Sequence, residues 1–337
     1  TKKLMSLDIS GLGHAIVDLQ FKIETPFLKT LKELDINFGS MTLKDIKSQQ
    51  ELLISLEKHY PSPLRACGGS ATNSIIAASS FGANCHYSCK VSNDNAGNFY
   101  KTDLIKNKVI NNISPTTSHM PSGQSIIMVT PDAERTMCTC LGISETLSTQ
   151  DIDSEGIKSA EYLLIEGYLV SSDSAFSACL EAIKIAKENQ TKIAFSLSDS
   201  NIVSAFHDQI KEIINTEIDI IFCNASEAIA FTKEEDILAA ELNLQTTADK
   251  VFITKGSKGA SVWDGTKLTH IEGFTAKAID TNGAGDMFAG AVLYCLINRS
   301  SFSEAARFAC FAASKSVEFF GPRLKLLQYD LIKSTYS

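Results

Sequence analysis

The densest run of reactive residue types is Asp280-Thr281-Asn282-Gly283-Ala284-Gly285-Asp286, which leads into the apolar stretch Met287–Ile297. Small residues at 283–285 let backbone N–H groups come close to a ligand. The helix predicted to follow presents its N-terminus there, where unpaired N–H groups and the helix dipole attract an anion. Asp286 falls in the first turn, beside that anion site. A carboxylate in that place can take a proton from a hydroxyl. The amides of Gly283, Ala284 and Gly285 can meanwhile stabilise charge on a transferring phosphoryl group. A glycine-rich turn with an acidic helix start is also a common structural arrangement, but two acids bracketing Gly-Ala-Gly weigh against that reading.

Other segments carry weaker signals of their own. Gly68-Gly69, before the helical stretch Asn73–Phe81 and its closing Gly82, would let a ligand lie against bare backbone. Asn73 offers both a donor and an acceptor. Asn224 and Glu227 sit three apart after an apolar run, which fits one helical face or an N-cap with an acidic third position. Asp18 stands on the polar side of the alternating segment Val17–Ile23, where a carboxylate could bind two vicinal hydroxyls or could be an ordinary solvated acid. Gly11-Leu-Gly13 suggests a dinucleotide fingerprint, but Ile16 replaces the third glycine and Asp18 comes too early for the ribose acid. No GxxxxGK[ST] loop occurs, which removes the main support for a P-loop kinase.

Taken together, these segments resemble the PfkB, or ribokinase-like, family of sugar and nucleoside kinases. Asp280–Asp286 resembles the family's DTxGAGD signature. Cys67-Gly-Gly-Ser-Ala-Thr-Asn73 resembles its GGxxxN signature, Asn224-Ala-Ser-Glu227 its NxxE motif, and Thr254-Lys-Gly-Ser-Lys-Gly259 the turn along the nucleotide. The four stand in the family's order over most of the chain.

The resemblance implies phosphoryl transfer from ATP, with Mg²⁺, to a primary hydroxyl. It assigns Asp286 as general base and Gly68, Gly69, Asn73 and Asp18 to the acceptor. Asn224, Thr254, Gly256, Gly259, Asp280 and Thr281 go to the nucleotide, and Glu227 to the Mg²⁺ water shell. It also raises a monovalent cation such as K⁺ near the Asp280 loop. His14 stands where adenosine kinases usually carry Asn, and Arg135 resembles a lid arginine that swings over the reacting phosphate. Tyr168 aligns with an aromatic that stacks on a purine, with Phe21 or Met137 as the opposite wall. These features favour an adenosine-like acceptor. A ribokinase- or fructokinase-type sugar kinase is the second reading, and a catalytically silent nucleoside-binding protein the third.

The elements that must position these residues follow from alternating apolar runs and amphipathic stretches, which mark a parallel sheet covered on both faces. Expected strands are 162–165, 192–197, 218–223 and 250–254, the last turning tightly into 260–263. Expected helices include 175–187 and 303–319, the latter stopped by Gly321-Pro322. Val17–Ile23 and the hairpin 125–130/135–141, turning at Pro131-Asp132, predict a small half-exposed sheet apart from the main core. Thr42-Leu-Lys-Asp45 reads as a capping box opening a helix to about His59. The expectation is one kinase domain over 1–337, a three-layer αβα sandwich, with lid segments at about 14–40 and 112–142.

The 337 residues carry a formal net charge of −8, 44% apolar and 21% charged residues. That surface repels phosphate backbones and anionic membranes. No apolar run approaches the ~18 residues that span a bilayer, and Thr1-Lys-Lys-Leu-Met5 holds no long signal segment. The nine cysteines form no CxxC; Cys138 and Cys140 lack a second ligand pair, so reduced thiols and a cytoplasmic setting are expected. A small-molecule acceptor, no nucleic acid or membrane partner, and a monomer or homodimer complete the expectation.

Overall fold

The computed structural model describes residues 6–132, 134–321 and 323–336; Thr1 to Met5 and Pro322, named above, lie outside them. In chain order the strands are β1 (Leu7–Leu12), β2 (Ile16–Lys22), β3 (Met41–Leu43), β4 (Leu64–Gly68), β5 (Cys85–Ser88), β6 (Gly123–Val129) and β7 (Arg135–Cys140). They continue as β8 (Ala160–Glu166), β9 (Lys192–Ser196), β10 (Ile220–Asn224), β11 (Lys250–Thr254), β12 (Ala260–Trp263) and β13 (Leu268–Ile271). The large sheet runs β13-β12-β11-β10-β9-β8-β1-β5. Its strands from β5 to β11 are parallel, and β12 and β13 close one edge antiparallel.

The parallel strands are buried on both faces, as their unbroken apolar runs require. Along β8, Tyr162 and Leu164 pack with the helices Ser70–Phe81, Ala284–Ile297 and Phe302–Ser316. Leu163 and Ile165 pack on the opposite side with Asp173–Glu188, His207–Ile214 and Ala225–Thr232. The αβα sandwich is therefore as expected. The helix expected over 303–319 runs Phe302–Ser316: a capping box of Ser301 and Glu304 starts it one residue earlier, and it closes at Val317.

The small sheet has the order β3-β7-β6-β2-β4, so Met41–Leu43 and Leu64–Gly68 join the strands expected at 17–23, 125–130 and 135–141. Two expectations fail here. Thr42 lies in β3, and the following helix Ile46–His59 is capped by Asp45, whose carboxylate accepts from Ser48 N at 2.9 Å. The sheet also does not stand apart with a wet face. Val17, Leu19, Phe21 and Ile23 share a core cluster with Leu52, Leu56 and Ile75. The polar side of β2 is buried too, with Asp18 and Gln20 at 6% and 3% exposure. Alternation distinguishes two chemically different faces, but it does not say that the polar one meets solvent.

The helix Ala284–Ile297 lies along Ser70–Phe81. A Cβ added at Gly290 would stand 2.3 Å from Ser74 O and 2.9 Å from Ala77 Cβ. Helix propensity favours alanine by about 1 kcal/mol, but no rotamer change can move a backbone oxygen. Gly290→Ala is expected to lower stability by about 1–3 kcal/mol, read as a shifted urea midpoint. A midpoint at or above wild type would overturn this account of the helix pair.

Candidate active site

Two helix starts meet at the carboxyl edge of the large sheet. Gly69 (φ +101°) caps Ser70–Phe81 and Gly283 (φ +71°) caps Ala284–Ile297, conformations that glycine adopts without steric cost. The helix thus begins earlier than Met287, and Asp286 is its third residue. Ser70 Oγ donates to Asp286 Oδ1 at 2.6 Å and Asn73 Nδ2 to Oδ2 at 3.0 Å. Burial raises the Asp286 pKa; these two bonds and the charges of Arg135 and Arg323 oppose the shift. Ala284 N–H is turned inward to Thr281 O at 3.3 Å, and open space faces Gly285.

Asp286 stands where two of three adjoining cavities meet. The first, of about 260 Å³, is lined by His14, Asp18, Gly69, Asn73, Arg135, Glu166, Tyr168 and Asp286, and by the inner face of the small sheet. The second, of about 320 Å³, is lined by Thr254, Gly256, Gly259, Thr281, Ala284, Gly285 and the apolar Phe274, Phe288 and Val317. A bridging cavity of about 160 Å³ shares Ser70, Ser198 and Asp286 with the first and Thr254, Gly285 and Phe288 with the second. Asn224 and Glu227 line this bridge. The result is a trench from an acceptor-sized chamber, past a buried carboxylate and a helix N-terminus, to a mostly apolar slot.

The wall of the first chamber is written in the strand register. Asp18, Ser125, Thr139 and Leu43 are cross-strand neighbours, as are Ile127, Met137 and Met41. Phe21 is the exception among the expected wall residues: it points to the opposite face and is buried in the core. Gly68 packs on Asp18, whose carboxyl would lie 2.4 Å from an added Cβ.

A family model described as pfkB family carbohydrate kinase matches residues 45–328. The chain belongs to the PfkB family. It is similar to the ribokinase of Haemophilus influenzae, with 28% identity over 75% of this chain and 81% of the relative. It is also similar to the adenosine kinase of Dictyostelium discoideum, with 28% identity over 92% of this chain and 94% of the relative. The solved adenosine kinase from Sinorhizobium meliloti superposes with a TM-score of 0.90 at 29% identity, covering 98% and 99% of the two chains. This PfkB protein is therefore an ATP-using phosphotransferase with an alcohol acceptor, of the sugar and nucleoside kinase group.

Within this PfkB fold, two family-type residues take structural partners. Asn224 and Glu227 form a complete capping box, with Glu227 N donating to Asn224 Oδ1 at 2.9 Å and Asn224 N to Glu227 Oε2 at 3.0 Å. Asp280 lines none of the three cavities. Its Oδ1 accepts from Asn282 N (2.9 Å) and pairs with Arg135 Nε (3.3 Å); its Oδ2 accepts from Gln20 Nε2 and Gly321 N, both at 3.0 Å. Three hydrogen bonds and the Arg135 guanidinium thus hold this carboxylate at the start of the turn. Among the described residues no group of three His, Cys, Asp or Glu side chains forms a metal cluster, and no helix is long and apolar enough to cross a membrane.

Sequence reading missed Ser70 and Glu166. Glu166 ends β8 and accepts from His14 N (2.7 Å) and Ala71 N (2.8 Å), tying β1 to the helix Ser70–Phe81. The one available signal was an acid terminating an apolar strand. Burial raises Glu166, Asp18 and Glu227 each to about 7, and lowers His14 to about 4.

Asp18 gives a test of this crowding. Between its unfolded value of 3.8 and about 7 the folded chain keeps a proton that the unfolded chain has released, so this group removes stability as pH rises through that window. Because His14 acts in the opposite sense, the informative quantity is the difference between variants. Asp18→Asn should match wild type near pH 4 and exceed it at pH 8 by up to about 4 kcal/mol, at 1.36 kcal/mol per unit. Equal pH slopes in urea titrations of the two proteins would reject the buried, ionised Asp18.

Proposed function

We propose that this kinase phosphorylates the primary hydroxyl of a nucleoside, with adenosine the leading acceptor. The observation that carries the reading is the mixed lining of the first chamber, which sets Asp18, Asn73 and Asp286 beside the apolar Ile16, Met41, Leu43, Ile127, Met137 and Leu141 and the ring of Tyr168. A free sugar offers hydroxyls to the polar groups and nothing to the apolar ones, whereas a nucleoside offers a diol and a base.

In this reading Asp18 holds the ribose diol and Asp286 accepts the proton of the attacking hydroxyl. Amides of Gly283 and Gly285, at the helix N-terminus, support charge on the transferring phosphoryl group. The apolar slot beside Thr254, Gly256 and Gly259 holds the nucleotide base. Arg135, now paired with Asp280, lies within reach of the same chamber. Mg²⁺ commonly keeps several waters and takes one or two carboxylates plus substrate phosphates. Glu227, which lines the bridging cavity, would order the water shell of such an ion, and the ion would neutralise phosphate charge there.

Asp286→Asn should lower kcat by about 10²–10⁴-fold with ATP affinity nearly unchanged in calorimetry. A kcat near wild type would reject Asp286 as base.

Base stacking on an aromatic ring is worth roughly 1–3 kcal/mol. Tyr168→Ala should therefore raise the KM for adenosine about tenfold, since 1.4 kcal/mol is one decade, and leave acceptor-free ATP hydrolysis unchanged. An ADP-release assay on adenosine, ribose and fructose decides the class. Good turnover of ribose or fructose with none of adenosine favours the sugar kinase reading, and no turnover at all favours a silent binder.

A further inference from the structure

Arg323 follows the C-terminal turn at Gly321 and lines none of the three cavities, yet its guanidinium reaches three polar groups beside the start of the helix Ser70–Phe81. Nη1 pairs with Asp103 Oδ2 at 3.0 Å, Nη2 reaches Cys67 Sγ at 3.1 Å and Nε donates to Asn73 Oδ1 at 3.4 Å. Asp103 Oδ2 also accepts from Cys67 N at 2.9 Å, so the guanidinium fork is anchored on the strand that precedes Gly68.

These contacts fix which way the Asn73 amide points. With Oδ1 towards the guanidinium, Nδ2 faces Asp286 Oδ2. The flipped amide would set its NH₂ against a cation and its oxygen against a carboxylate, two repulsive contacts. The charge matters as well. Asp18, Glu166 and Glu227 each feel the negative charge of Asp286, and Arg135 and Arg323 offset it at Asp18 and Asp286.

We propose that Arg323 is a positioning residue for phosphoryl transfer. It acts through Asn73 to hold Asp286 in its proton-accepting orientation. The proposal rests on Asp286 being the base.

The test compares Arg323→Met, Arg323→Lys, Asn73→Ala and the double variant R323M/N73A, using whichever of adenosine or ribose the wild type turns over. R323M should lower kcat at pH 7 by about tenfold or more, as loss of an outer hydrogen-bonding partner does elsewhere. The KM for ATP should stay within about twofold, and the acid limb of the kcat profile should move to higher pH, because a positive charge that lowers the Asp286 pKa is gone. R323K should recover part of both effects. The double variant should be little worse than N73A alone, the non-additivity expected of residues acting in one chain.

Wild-type kcat and acid limb in R323M overturn the proposal. So do multiplying effects in the double variant, which would make Arg323 only a clamp on Asp103. If R323M does not fold, R323K decides: one ammonium cannot serve Asp103, Cys67 and Asn73 together, so an unchanged kcat overturns the proposal and a several-fold loss supports it. An active D286N in the same assay removes the base itself. An inactive D286N beside an unimpaired R323M removes only Arg323.

Discussion

Burying Asp286 opposes its ionisation, and the hydrogen bonds from Ser70 and Asn73 hold it against that opposition. Both donors come from one helix and the acceptor from another, so the bonds exist only while Ser70–Phe81 and Ala284–Ile297 keep their mutual register. That register is set about one turn further along both helices, where Gly290 lets the second helix approach the backbone at Ser74. The two glycine caps then end both helices at the same level, with their positive ends towards the same space. A carboxylate and two helix N-termini converge because a packing contact and two left-handed caps agree.

The small sheet answers a second requirement, a chamber wall that carries both polar and apolar side chains. Its outer residues, such as Leu19 and Phe21, share the main core, so the chamber wall cannot shift without disturbing packed side chains. Gln20 and Arg135, both on that sheet, reach Asp280 at the start of the glycine-rich turn. The wall of the first chamber is thereby tied to the loop that precedes Asp286.

Much of the fold was legible, because buried parallel strands leave unbroken apolar runs and the strongest chemistry lies in short contiguous motifs. Asp286 stood out in its own motif and Asn73, Thr254 and Glu227 through the family resemblance of theirs, and the structure brings them to one trench. What the sequence hid has two causes. One is environment: β2 alternates like an exposed strand, yet Asp18 and Gln20 face a chamber and a buried carboxylate rather than water. Thr42 looked like a cap because a strand and a helix start lie only a few residues apart, and nothing local says which of Thr42 and Asp45 faces Ser48. The other is distance along the chain. Glu166 closes on His14 and Ala71, and Arg323 on Asn73, across sequence separations that no local pattern records.

Those long-range partners answer a problem that the motifs create. Asp18, Glu166, Glu227 and Asp286 gather around one trench, and burial raises the pKa of each. A family of carboxylates this close is tolerable only where donors and cations are fixed beside them. Glu166 is met by two backbone N–H groups, Glu227 by its own capping box, and Asp286 by Ser70 and Asn73. Among the described residues Asp18 has no comparable donor, and its charge partners are Arg323 and Arg135. It therefore keeps unmet accepting capacity, and it faces the first chamber. A ligand that brought hydroxyl donors to Asp18 would supply what the fold leaves out at that position, which is the physical reason for placing the proposed acceptor there.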